Sequence, residues 1–159
     1  MKERAVVNVL KHLLYILGIS MVPVIELRGA IPVGLSLGMP FWTVFLTALI
    51  GNLLPVPILI LFTRQVFEWL RKKSPLLERF VSRMERKAEA KRELVDRYKF
   101  LGLFILVAIP LPGTGAWTGS LVSAVFGIDL RHALPAIALG VLTAGIIVSV
   151  ISYGVSIFL

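Results

Sequence analysis

The chain has 159 residues, of which 57% are hydrophobic and 16% charged, against about 25% charged in an ordinary soluble domain. With a mean hydropathy of +0.89 it reads as one integral membrane domain, residues 1–159, with too little polar sequence for a separate soluble unit. The absence of cysteine excludes disulfides and thiolate metal sites, and the formal charge of +8 is concentrated, since residues 64–99 hold twelve Lys and Arg against six acids. One basic loop of this kind fits the positive-inside rule and contact with anionic headgroups. It does not call for nucleic acid.

Taken in order, the apolar segments run from Ala5 to Ile25, Phe41 to Phe62, Phe100 to Ile128 and Ala133 to Leu159. The first is retained in the protein, because it ends in Pro and Glu without a small-residue cleavage site. It is followed by PVIELRGAIPVG, in which Glu26 and Arg28 stand alone as charges among Pro23, Gly29, Pro32 and Gly34. A charge at mid-bilayer costs about 2.5 to 3.5 kcal/mol on insertion scales, so such residues face protein or water. On a regular helix two residues this close project to nearly opposite sides. They share a pocket only if the helix is broken there, and otherwise serve two polar surfaces.

Phe41 to Phe62 and Ala133 to Leu159 are free of charge and long enough to cross a hydrocarbon core of about 30 Å. The first carries Asn52, which either hydrogen-bonds a hairpin or makes an interhelical structural bond. Between the spans, residues 76–99 have the pattern of an amphipathic helix, with Leu77, Phe80, Met84, Ala88, Val95 and Tyr98 along one face and bases along the other. Such a helix lies on the inner membrane surface or serves as a solvated linker. Next, KFLGLFILVAI reaches a Pro/Gly interruption, PLPGTGAWTG, and SLVSAVFGI resumes. Two half-length helices joined in this way predict a re-entrant hairpin, whose irregular backbone must line protein or a cavity. The same grammar around PVIELRGAIP predicts a first hairpin.

The halves align as repeats: Gly29 with Gly115, Gly38 with Gly127, and Gly51 with Gly140. A hairpin plus one full span is an odd number of crossings, so the second copy must enter from the opposite side. The expected fold is therefore an all-α polytopic membrane protein, an inverted repeat of re-entrant hairpin plus transmembrane helix. Repeat 1 covers about 5–63, a basic amphipathic cytoplasmic helix 64–99, and repeat 2 about 100–159. With the basic loop inside, the first hairpin opens outward and the second inward. The N-terminus has two options: charge puts Lys2, Arg4 and Lys11 inside, whereas repeat symmetry starts the first leg outside.

PVIELRGAIPVGLSLGMP, followed by PLPGTGAWTGSLVSAVFGI, resembles the small multi-drug export family over essentially the whole chain, and through it the DedA and VTT-domain proteins. The resemblance implies a transporter, and on the DedA side proton-dependent movement of polyprenyl phosphate or other lipids. The DedA-like pattern has an acid in the first hairpin and arginines in the second. Here Glu26 and Arg28 are both in the first, and the second has no arginine.

The expected site comprises Glu26, Arg28, Gly29 and Pro32 from the first hairpin and Pro110, Pro112, Gly113, Thr114, Gly115, Trp117 and Thr118 from the second. Glu26 is a candidate proton carrier: desolvation favours a neutral acid and a neighbouring guanidinium the anion, so an anion drawn to Arg28 would couple binding to protonation. Its structural alternative is an ion pair bracing the hairpin. Arg28 either forks onto an anionic headgroup or caps backbone carbonyls. Thr114, Thr118, Ser120 and the backbone N–H groups near Gly113, Gly115 and Gly119 form either a neutral anion nest or a close-packed small-residue turn. Pro110 and Pro112 break the helix, Trp117 closes the cavity, and Trp42 and Trp69 anchor span ends.

Asp129 and Arg131 read as a local ion pair. His12 and His132 lack companions for a metal site, and no cofactor or enzymatic constellation is present. Expected partners are membrane lipids, protons and a polyprenyl phosphate or small amphipathic substrate, with no nucleic acid; a homodimer would help shield polar backbone. The expected location is the inner membrane, multi-pass. The competing function is a membrane assembly or scaffold protein that recruits partners through the basic helix.

Overall fold

The computed structural model describes residues 2–90, 100–111 and 113–158, with side chains described from residue 6 to 153 except Arg64. Among these residues the fold is all helical: α1 (Lys2–Met21), α2 (Glu26–Ser36), α3 (Phe41–Leu53), α4 (Val56–Lys73), α5 (Pro75–Glu89), α6 (Phe100–Ala108), α7 (Ala116–Phe126) and α8 (Leu130–Phe158). Two stretches are long and apolar enough to cross a membrane, Phe41–Thr63 and Leu130–Tyr153. The first comprises α3 and the start of α4. Pro55 lacks the N–H that would continue the ladder, yet Leu54 and Pro55 keep helical dihedrals, so the helical path of the span continues through the proline.

In each half a short returning helix of 11 residues packs with a preceding leg and a following long helix: α2 with α1 and α3, α7 with α6 and α8. Each also packs on the other half, α2 against α8 and α7 against α4. At about 1.5 Å per residue, 11 residues cover roughly half of a hydrocarbon core. The buried residues shared by these contacts include Ile16, Leu27, Ile31, Val44, Val107, Val122, Ile137 and Val141, which form one apolar centre.

The ends of α2 and α7 have the same geometry. Gly38 and Gly127 adopt left-handed backbone, with φ of 71° and 67°. Gly38 N–H donates to Leu35 O and Met39 N–H to Gly34 O; Gly127 N–H donates to Ala124 O and Ile128 N–H to Ser123 O. This double bond pattern closes both helices in the same way, with glycine where a side chain would be strained. A second correspondence lies in the long helices. A Cβ on Gly51 would meet Leu17 O at 2.7 Å and Ser20 Cβ at 3.1 Å, and one on Gly140 would meet Phe104 O at 3.0 Å and Val107 Cβ at 2.6 Å. In both halves the long helix meets the leg backbone directly at a carbonyl and at the residue three positions later.

The returning helix of the first half begins earlier than the breaker residues imply. Its turn is Val22–Ile25, and Glu26, Arg28, Gly29 and Pro32 all lie within α2. Gly and Pro are tolerated in apolar helices where neighbours re-satisfy the freed backbone groups, so they do not mark this boundary. In α5 the expected face largely turns inward, with Ala88 buried and Leu77 and Met84 half-buried, but Phe80 is exposed and the neighbouring Val81 is buried in its place. The expected continuation of that helix through Val95 and Tyr98 lies outside the described residues. Asp129 and Arg131 do not form the expected ion pair: the salt bridge among the described residues joins Arg71 to Glu85. Asp129 instead starts α8 through its carbonyl, which accepts from His132 N–H and Ala133 N–H.

Candidate functional site

The two helix breaks face each other, and side chains from α2 satisfy backbone groups at the second break. Glu26, the first residue of α2, is 2% exposed, and its Oε1 accepts from Trp117 N–H at 3.1 Å. The Ala116 N–H and the side-chain amide of Asn52 also act on this carboxylate. It therefore sits at the start of α7, where the helix presents unpaired N–H groups and positive potential. Gly115 makes that approach possible: its Cα is so close that a Cβ would lie 2.1 Å from Glu26 Oε2.

Arg28, in the next positions of α2, points to the other side of the same break. Its Nη1 donates to Leu111 O at 2.6 Å, and its Nη2 to Thr114 Oγ1 at 3.0 Å and Ile109 O at 3.3 Å. The guanidinium thus adds a second donor to carbonyls just past the end of α6, where Ile109 O already accepts from Leu111 N–H and Leu111 O from Thr114 N–H. Thr114 fastens the same loop: its Oγ1 accepts from Leu111 N–H at 3.2 Å and lies 2.7 Å from both Ile109 O and Leu111 O. Glu26 and Arg28 form no ion pair with each other. They serve two polar surfaces, one at each lip of the second break.

The start of α7 answers through Trp117, whose Nε1–H donates to Met21 O at 3.1 Å, capping the end of α1. The cross-bracing is reciprocal, with Trp117 tying the start of α7 to the end of α1. The first turn is strained, since Val24 and Glu26 have positive φ, 75° and 51°. Such a conformation in a β-branched residue and a glutamate costs about 1–3 kcal/mol each and persists where surrounding contacts dictate it, which is common at functional sites.

Of the other expected residues, Gly113 lies exposed at the tip with φ of 80°, Pro110 is half-buried between α6 and the tip, and Thr118 is half-buried in the first turn of α7. Gly29 is half-buried in α2 beside Ile25, and Pro32 is exposed on α2, so neither reaches the polar cluster as Glu26 and Arg28 do. Pro112 lies outside the described residues. Ser120 is fully buried, but its hydroxyl donates within α7 to Ala116 O at 2.7 Å, which occupies it in the helix.

Asn52 is more central than a generic interhelical bond. It is 1% exposed, its amide lies beside Glu26, and its Oδ1 has no hydrogen-bond partner. A buried unsatisfied acceptor costs about 1–3 kcal/mol and calls for a donor. The sequence signal was present, an amide in a charge-free span, but its alignment with Glu26 is a tertiary fact. Arg28 Nε is likewise buried without a partner. By contrast, a groove of about 800 Å³ between α3 and α8 is apolar, lined by Phe41, Trp42, Phe45, Leu142, Ile146 and Tyr153, and holds none of these groups.

A sequence model of the family described as "Putative small multi-drug export protein" matches residues 26–147, from Glu26 through both breaks and into α8. No curated protein and no solved structure matches the chain.

Proposed function

Because the chain belongs to the small multi-drug export family, whose name denotes a membrane transporter, we propose that it is a proton-coupled transporter or lipid flippase of the inner membrane. In this reading it moves an anionic or amphipathic substrate, such as a polyprenyl phosphate or a small amphipathic molecule. The observation that carries the reading is the buried Glu26 carboxylate, held without a salt bridge at the start of the opposite hairpin's helix and beside an amide with a free acceptor. A carboxyl in that position has two bonding states. Ionised, it accepts from Trp117 N–H and its neighbours; protonated, it becomes a donor, and Asn52 Oδ1 is the acceptor within its surroundings.

Protonation withdraws the cap from α7, and an anionic headgroup competes with Leu111 O and Ile109 O for the Arg28 fork. The two events act on opposite lips of one break, which links proton binding to substrate binding. The matched glycine ends of α2 and α7, and the matched contacts at Gly51 and Gly140, support reading the halves as inverted repeats with re-entrant hairpins. The break would then lie near the midplane, where secondary transporters bind substrate. The basic segment from Arg71 to Lys87 supports a cytoplasmic placement of α5.

A second reading is favoured by the capping itself: Glu26 and Arg28 both satisfy helix ends, as structural residues do, and the chain would then act as a membrane scaffold through its basic helix. Reconstitution into liposomes separates the two. Wild type is expected to move a fluorescent lipid phosphate or an amphipathic dye in response to a pH gradient, and folded Arg28→Ala to do so at least about tenfold more slowly, the scale of one lost charged hydrogen bond. If wild type moves neither probe, the transport reading fails.

A further inference from the structure

The helix between the halves carries a surface that the transport site does not use. Val81 and Ala88 of α5 are fully buried, and α5 packs on α4 and α7, so the helix is fastened to the membrane domain along one stripe. Setting residues out at about 100° each, Phe80, Lys87, Leu76, Arg83, Arg79 and Arg86 fall together in one sector of about 120° turned mostly away from that stripe. The acids Glu78, Glu85 and Glu89 fall outside this sector, on one flank of the stripe. Glu85 is engaged there by Arg71 of α4.

The basic side is exposed in all six residues, its two apolar members included, Leu76 at 73% and Phe80 at 54%. In the preceding helix α4, Trp69 is also exposed, and Lys73 Nζ lies 5.1 Å from its ring centre. Large apolar side chains interleaved with bases, and segregated from every acid of the same helix, suit a boundary that is apolar below and anionic above. A soluble acidic partner would match the bases but leave Leu76 and Phe80 without a reason.

We propose that this face of α5 binds anionic phospholipid, with Leu76 and Phe80 set among the acyl chains and Arg79, Arg83, Arg86 and Lys87 on the headgroup phosphates. Because α5 is seated on α7, lipid bound here bears on the helix whose start Glu26 caps. The surface does not depend on the transport reading, since immersion can be measured whether or not the chain transports.

The lack of native cysteine allows a direct test on the full chain. Spin labels are placed singly by Leu76→Cys, Phe80→Cys and, on the acidic side, Glu78→Cys. Their depth is read by oxygen and nickel-chelate accessibility in vesicles of phosphatidylcholine alone and with an equal part of phosphatidylglycerol. The labels at 76 and 80 are expected to immerse in the anionic vesicles and the label at 78 to stay aqueous. Arg79→Gln with Arg83→Gln should reduce the preference for phosphatidylglycerol roughly 30-fold, as two bases near a charged surface imply. Labels at 76 and 80 that remain aqueous in both vesicle types, as a protein partner for this face would require, overturn the proposal. So does immersion that is equal in both and indifferent to the arginine changes.

Discussion

Replacing Gly115 with Ala is expected to destabilise the fold by about 3–5 kcal/mol, because two independent penalties fall on one methyl group. The backbone there has φ of 120°, which an L side chain rarely adopts, and the new Cβ would lie 2.1 Å from Glu26 Oε2 and 2.7 Å from Cδ. The carboxylate cannot retreat freely, since it is buried and bonded to Trp117 N–H. Thermal unfolding in detergent checks the magnitude, and pairing the change with Glu26→Ala checks the cause. If the clash is real, the double variant loses less than the two single losses summed, by a coupling of about 0.5–3 kcal/mol, while the backbone penalty remains. An unchanged melting temperature for Gly115→Ala would mean that the carboxylate does not occupy this cradle.

For Glu26 the expected effects divide between stability and transport. Glu26→Gln keeps the size of the side chain and one oxygen for Trp117 N–H, so the chain should still fold. It carries no exchangeable acidic proton, so pH-gradient-driven movement should fall to background in liposomes. Glu26→Ala should also lose stability, because it leaves Trp117 N–H and the Asn52 amide without their buried acceptor, a cost of about 1–3 kcal/mol for each unsatisfied group. Normal gradient-driven transport by Glu26→Gln would reduce the residue to a helix cap.

Much of this site is legible in the sequence through one physical rule: an ionisable pair within an apolar stretch must be facing something. Glu26, Arg28, Thr114, Gly115 and Trp117 were all found by that rule and by the Pro/Gly interruption of the second half, and the structure brings these five together. What each touches was not legible. The pairing of Glu26 with the start of α7 spans 91 positions of sequence, from 26 to 117, and depends on how the halves dock. The first turn was misplaced because Gly29 and Pro32 are strong breakers in water and acceptable residues in a packed apolar helix. In α5 one position departs from the amphipathic pattern: the smaller Val81 is buried where the helix packs on its neighbours, and the larger Phe80 beside it is exposed.

The central claim is that two hairpins enter the bilayer from opposite faces and brace each other's breaks at the site between them. Side-specific labelling tests it most directly, using exposed positions next to the glycine-closed ends of α2 and α7. With Leu37→Cys and Asp129→Cys made singly in oriented membrane vesicles, a membrane-impermeant maleimide should reach position 37 from the outer face and position 129 from the inner face. Labelling of both positions from the same face would contradict the account.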